Sequence, residues 1–434
     1  MSLQEPLAAV VRGDYGGGVV YLGQVPELVL SGHAGDTGSL EAALAERSQG
    51  CAQWDQPHPP GAAIGAFDFE GNWHFSFFRE LEVKPTSDLW PEGGPAGQGT
   101  ADEQGWECSV GRDGYAAMVR SAQEEIRAGQ IYQVNLARFL HRNVEGLEPW
   151  EFFRWLWRTG QAPRSFFYRL GKKVLAGASM ELFLGMEGNR IVTQPIKGTR
   201  GREASREGDE RAALELGTNP KEVAELIMIT DLLRNDLGAV CEYGSVQARD
   251  LVRRRSYSHV HHLYSTVEGK LRAGIGPVEA VRECLPGGSV TGAPKRSAVG
   301  ILQKLEAEPR GHYTGAVGYF GYDGTARFAM GIRMAEMKGH RVRCGVGSGI
   351  TAASDPEGEY EETKIKARVL TEAMAAYLVT RAVRVSVSGE GCQFPIPDFG
   401  TGLAYLRRCG CRAEKPRGGT GTWSPSGNLR RPWA

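Results

Sequence analysis

Residues 193–202, TQPIKGTRGR, close a series of strand-length apolar segments at 131–140, 165–170, 173–178, 181–187 and 190–196. Hairpin-like runs of this kind, followed by helices, predict an α+β fold with antiparallel sheets rather than repeating βαβ units. The segment also delivers Lys197 between Ile196 and Gly198. Three readings are open for that lysine: a phosphate or nucleic-acid contact, a surface residue on a turn, or a nucleophilic amine.

Outward from this stretch, Asn219-Pro220 supplies an N-cap and a first-turn proline for a long helix from about 220. Further strands are expected at 239–248, 257–269, 313–322, 326–336 and 341–347, with helices at 277–284 and 294–306 and a closing helix over 356–377. Upstream, Tyr115, Met118, Val119, Ala122 and Ile126 share one face of a helix over 113–130. Residues 1–105 read as a β-rich N-terminal region, with a Pro- and Gly-rich linker at 84–104. Residues 106–380 are expected to form the core. The tail, 381–434, carries nine Lys and Arg against three Asp and Glu, with nine Gly and five Pro, and is expected to be disordered rather than a nucleic-acid arm.

The whole chain of 434 residues balances 51 basic against 51 acidic side chains, so no global field draws in nucleic acid or a membrane surface. It has no run of about 18 apolar residues that would span a bilayer. The start, MSLQEPLAAVVRGDYGG, lacks a basic segment followed by an apolar one, so a cytoplasmic enzyme is expected. Eight scattered cysteines, without C-x-x-C, read as reduced thiols.

Several motifs carry chemistry. PGGSVTGAPKRSA, 286–298, approaches a phosphate loop, but Ala293-Pro294 separate Gly292 from Lys295, so the lysine cannot fold back as a P-loop lysine does. Its helix start can still hold an anion. Lys221, Glu222 and Glu225 follow Pro220, and Glu359, Glu362 and Lys366 share a face after Pro356. Each set reads as a solvated salt-bridge face or, if the two faces meet, as oxygen ligands for Mg²⁺. Gly347 and Gly349 in CGVGSGI let backbone N–H groups approach a ligand. Arg333, in an apolar strand, calls for a carboxylate partner. His259, His261 and His262 cluster in SHVHHL, the first two facing one way along a strand and His262 the other.

Taken together, GQIYQVNLA (129–137), GASMELFLG (177–185), QPIKGTRGR (194–202), KEVAELIMITDLLRNDLGAVC (221–241), HVHHLYSTVEGKL (259–271), LPGGSVTGAPKRSA (285–298), GAVGYF (315–320), GIR (331–333) and GVGSGITAASDPEGEYEETKIKA (345–367) resemble the chorismate-utilising enzymes. Within that family they look most like component I of the aminodeoxychorismate, or para-aminobenzoate, synthases. The resemblance implies a four-layer α/β/β/α core around two stacked antiparallel sheets. It implies Mg²⁺ held by Glu225 and Glu362, with Glu222 and Glu359 in support, and a pyruvyl carboxylate held by Arg333 and Tyr319. Ser289, Gly347, Gly349, Lys366, Gln133 and Thr199 would complete the substrate pocket. Glu181 would be the general acid, and His262 would lie against the ring.

The resemblance also bears on Lys197. Anthranilate synthases typically carry alanine there, whereas aminodeoxychorismate synthases carry lysine. A lysine amine can attack the ring carbon beside the carboxyl-bearing one while the 4-hydroxyl leaves, after which ammonia adds at the 4-position. That requires a neutral amine, hence a water-poor site lowering its pKa from about 10.4. Isochorismate and salicylate synthases carry a lysine base where this chain has Gln133, which cannot take a proton from water. Chorismate and ammonia are the implied substrates, with ammonia from a separate glutamine amidotransferase subunit. Anthranilate synthase component I and a non-catalytic ligand-binding protein are the rival readings; intact Glu181, Lys197, Glu225 and Glu362 speak against the second.

Overall fold

Strand segments separated by tight glycine turns pair into two antiparallel sheets of ten strands each. The computed structural model describes residues 7–12, 18–51, 56–86, 103–203, 205–256 and 260–387. The first sheet runs, in spatial order, Gly292–Ala293, Gln133–Asn143, Arg341–Ile350, Met334–Lys338, Lys173–Ser179, Arg164–Leu170, Ala8–Arg12, Val19–Gly23 and Glu82–Pro85, with Glu107–Cys108 beside Gln133–Asn143. The second runs Ile196–Gly201, Val260–Lys270, Arg190–Gln194, Leu182–Glu187, Ala326–Met330, Ala316–Gly321, Ala62–Phe67, Asn72–Phe78 and Leu28–His33, with Gln247–Ser256 beside Val260–Lys270.

Alternation along the strands builds the layers. Ala8, Val10, Phe166, Tyr168 and Leu175 of the first sheet meet Ile64, Phe78, Val317 and Tyr319 of the second in one buried inter-sheet core. Each such side chain contributes roughly 1.5–3 kcal/mol by leaving water. On the outer face of the first sheet, helix Pro149–Gly160 packs Trp150, Phe153 and Leu156 against Leu370 and Met374 of helix Pro356–Val387. On the outer face of the second, Leu40 of helix Gly38–Arg47, Leu237 of helix Pro220–Gly238 and Val281 of helix Pro277–Cys284 cover Phe75, Phe320 and Phe328. The result is α+β with four layers, α/β/β/α. The N-terminal strands, from Ala8–Arg12 to Glu82–Pro85, belong to both sheets and complete the same two-sheet core.

Several boundaries move. The segment expected as one strand over 326–336 divides: Ala326–Met330 stays in the second sheet and Met334–Lys338 joins the first. Between them, the amide of Gly331 donates to the Gly315 carbonyl, and Arg333 adopts φ 52°, in the left-handed region. Arg333 therefore lies at a crossing between sheets, not within a strand. Residues 239–246 turn after the helix instead of forming a strand, because Gly244 takes φ 78° and the paired segment starts at Gln247. Helices Pro149–Gly160 and Arg206–Thr218 were not anticipated. The last helix continues to Val387, into the stretch expected as disordered tail. The rest of that tail, and most of the expected linker (87–102), lie outside the described residues. Among the described residues no helix is long and apolar enough to cross a membrane.

Candidate functional site

Pairing resumes after Pro195, and strand Ile196–Gly201 runs against Val260–Lys270. The register slips between Lys197 and Thr199, with Gly198 at φ 67°, so Lys197 sits at a bulge opposite Leu263 and Thr199 stands opposite His262. Lys197 Nζ lies 3.6 Å from Glu225 Oε2 in an ion pair whose two side chains are mostly buried. Gly349 has no side chain at the point where one would meet Gln133 Nε2 at 2.9 Å and Lys197 Nζ at 3.4 Å. Lys197, Gln133 and Gly349 thus border one space.

Glu181 is buried, and Ser289 Oγ donates to its Oε1 at 2.5 Å. Burial raises its carboxyl to about 7, against the opposing pull of the Ser289 hydroxyl and the cations Lys197, Arg164 and Lys366. Ser289 is fixed by its neighbours. The Arg310 guanidinium donates to the carbonyls of Val290 and Asn135 and pairs with buried Glu306, while Asn135 Nδ2 donates to the Ser289 carbonyl at 3.1 Å.

His262 Nδ1 lies 3.2 Å from the Gly198 carbonyl, so this nitrogen carries the proton. Burial pushes the imidazole down to about 4, with Arg333 and His261 adding to the effect, and the ring is neutral near neutral pH. Arg333 donates to the Lys366 carbonyl, and Lys366 Nζ donates to the Gly347 carbonyl at 3.0 Å and pairs with Glu362 at 2.6 Å. Burial pushes the Lys366 ammonium down against the pull of Glu362. A Cβ on Gly345 would strike the Tyr313 ring, and one on Gly347 would stand 3.2 Å from the Tyr313 hydroxyl, so Tyr313 occupies the floor these glycines leave open.

The acid-bearing helices meet at their N-terminal turns. Asn219 caps one, accepting from the amides of Lys221 at 3.0 Å and Glu222 at 3.3 Å, and Asp355 accepts from Gly358 N at 2.8 Å on the other. Lys221 bridges them, 3.9 Å from both Glu225 and Glu359. Burial and neighbouring carboxylates raise the Glu222 and Glu359 carboxyls. Burial opposes ionisation of Glu362 too, but Lys366, Lys197 and Lys221 outweigh it and hold that carboxyl down.

The chorismate binding enzyme family matches residues 79–372. The chain belongs to that family. It is 42% identical over 260 residues to an aminodeoxychorismate synthase from Streptomyces griseus, covering 60% of this chain and 36% of that one. It is 38% identical over 296 residues to an anthranilate synthase component 1 from Saccharolobus solfataricus, covering 68% and 70% respectively. The chain thus spans about a third of the first relative's length and about two thirds of the second's. Its fold matches the crystal structure of anthranilate synthase component I from Streptococcus pneumoniae with a TM-score of 0.64 at 26% identity, over 85% of this chain and 91% of that one.

Members of such a family bring a divalent cation into question. Among the described residues no group of three or more His, Cys, Asp or Glu side chains is arranged to hold a metal. Lysines engage the carboxylates instead: Lys197 with Glu225, Lys366 with Glu362, Lys221 with Glu225 and Glu359. The donor set nevertheless fits a hard cation. It is all oxygen, its charges repel one another, and Glu359 Oε2 is buried without a hydrogen-bond partner.

One expected pocket residue stands elsewhere. Tyr319 is buried in the inter-sheet core, its ring 5.5 Å from Tyr21 and edge-on to it, because it shares strand parity with core residue Val317. Tyr313 takes the place beside Gly347 and in the field of Arg333. The available signal was its position in HYTG, just ahead of the strand rather than within it. Lys295 turns to Asp236 at 2.7 Å, consistent with the failed phosphate-loop reading. His261 is structural, bridging Asp209 at 2.9 Å and Ser256 at 2.8 Å, and His259 lies outside the described residues.

Proposed function

We propose that this chain is the chorismate-aminating component of an aminodeoxychorismate synthase, working in the cytoplasm on ammonia supplied by a glutamine amidotransferase partner. The observation that carries this reading is the Lys197 amine beside Gly349 and Glu225, with Glu181 acting on the same space through charge. Arg333 and Tyr313 would take the pyruvyl carboxylate, and Ser289 keeps Glu181 oriented. A bound Mg²⁺, held by Glu225 and Glu362 with Glu222 and Glu359 behind them, would neutralise and anchor the ring carboxylate.

In this mechanism the Lys197 amine bonds to the ring carbon beside the carboxyl-bearing one. Both ring double bonds shift by one position and the C–O bond at the 4-position breaks, the hydroxyl leaving as water with the Glu181 proton. Ammonia then bonds at the 4-position, both double bonds shift back, and the bond to Lys197 breaks with its electron pair returning to the amine. The proton shed by the new amine restores Glu181. A carboxyl near 7 is suited to both transfers, and its protonated fraction falls as pH rises through about 7. Gln133 offers no base to activate water, which disfavours hydroxylation.

Anthranilate synthesis is the second reading, favoured by the greater share of the Saccharolobus solfataricus relative that this chain covers. The product decides. With chorismate, Mg²⁺ and ammonium salt, the chain should yield 4-amino-4-deoxychorismate, and Lys197→Ala should lose most of it and leak toward anthranilate. Wild-type anthranilate formation would overturn the proposal. Full aminodeoxychorismate production by Lys197→Ala would remove the covalent route.

A further inference from the structure

Lys221 takes no part in the chemistry above, yet it stands at the mouth of the carboxylate cleft. Its ammonium lies 3.9 Å from Glu225 Oε1 on its own helix and 3.9 Å from Glu359 Oε1 on the facing one. It sits in the first turn of Pro220–Gly238, where the positive end of the helix macrodipole disfavours a cation. Local electrostatics therefore do not account for a lysine there; the carboxylates opposite it do. From within the cleft Lys197 reaches Glu225 and Lys366 reaches Glu362, with side chains 15% and 31% exposed. The Lys221 side chain is 61% exposed and reaches in from solvent, while its partner Glu359 is 4% exposed.

We propose that Lys221 is a tethered counter-ion. It holds the metal-free carboxylates of the two helices together and swings into solvent when a divalent cation takes them. This rests on the reading of Glu222, Glu225, Glu359 and Glu362 as the cation site. An ammonium on Glu225 and Glu359 competes with Mg²⁺ for the same oxygens, so it lowers the apparent affinity for the ion while stabilising the metal-free chain. The exposed stem makes departure easy, since the freed head is fully hydrated. Two partly exposed ion pairs lost together correspond to a roughly fivefold change in binding constant.

The test is Mg²⁺ binding to the full chain without chorismate, followed by titration calorimetry and by the unfolding midpoint at rising Mg²⁺. Lys221→Met should bind Mg²⁺ roughly fivefold more tightly. It should also unfold at a lower temperature than wild type when no Mg²⁺ is present. Lys221→Arg, which keeps the charge, should retain wild-type affinity. A lysine acting only as a structural brace would give weaker binding in Lys221→Met, not tighter. If wild type binds Mg²⁺, Glu362→Gln abolishes binding and Lys221→Met leaves the affinity equal or weaker, the counter-ion role is overturned and the cation site stands. If wild type binds no Mg²⁺, the cation site falls and the counter-ion role with it.

Discussion

A carboxyl removed from water, with a hydroxyl donor at one oxygen, ties Glu181's chemistry to the stability of the chain. Its folded value of about 7 lies above the ordinary 4.5, so the native state holds a proton that the unfolded state has lost between those pH values. Stability therefore falls as pH rises from about 4.5 to about 7, by an amount on the order of 3 kcal/mol, and stays reduced above. Glu181→Gln should remove this cost, since the amide oxygen can still accept from Ser289. Denaturant midpoints at pH 8.5 should place the variant above wild type, and at pH 5 most of the gap should close. An equal gap at both pH values would show that the buried charge is not its source. Glu181, Lys197 and the four glutamates were legible as candidates in the sequence because they stand in fixed motifs; the roles given to them are those proposed above. Tyr313 was not, since an aromatic residue beside a strand reads like the core aromatic Tyr319 until the strand's parity is known. The setting of Arg333 was equally hidden: its left-handed backbone follows from the sheet crossing, which depends on both sheets.

Helix Pro220–Gly238 carries Glu222 and Glu225 in its first two turns, so its start sets where those carboxylates stand. Asn219 fixes that start by accepting from two amides. Asn219→Ala should cost about 1 kcal/mol, while Asn219→Asp should retain most of the stability. Thermal unfolding of the three proteins checks this, and an unchanged midpoint for Asn219→Ala would mean that the flanking contacts hold the turn without the cap. This boundary was readable because the Asn-Pro signal is local. The split of 326–336 was not, because Met330 and Met334 are both apolar and nothing local says that they serve different sheets. Helix Pro149–Gly160 also escaped notice: its segment PWEFFRWLWRTG holds Trp and Phe in numbers that suit strand and helix alike.

Across the whole molecule, the first strands finish both sheets. Ala8–Arg12 pairs with Arg164–Leu170, and Ala62–Phe67 pairs with Ala316–Gly321. The α+β class was legible from strand-length apolar runs, but this pairing was not, since sequence alternation shows which face is buried and not which strand lies alongside. Deleting residues 1–33 removes three strands and bares the edges of Arg164–Leu170 and Asn72–Phe78, along with apolar surface of the inter-sheet core. The truncated chain should elute as aggregate on size exclusion, and a stable monomer would show that the remaining strands suffice. The same long-range pairing shapes how the protein is made. Ala62–Phe67 leaves the ribosome some 250 residues before Ala316–Gly321, its partner on one side. At about 5–20 residues per second, that leaves its apolar edge without this partner for tens of seconds. A newly made chain therefore keeps this strand edge open to pairing with other chains until residue 321 has emerged.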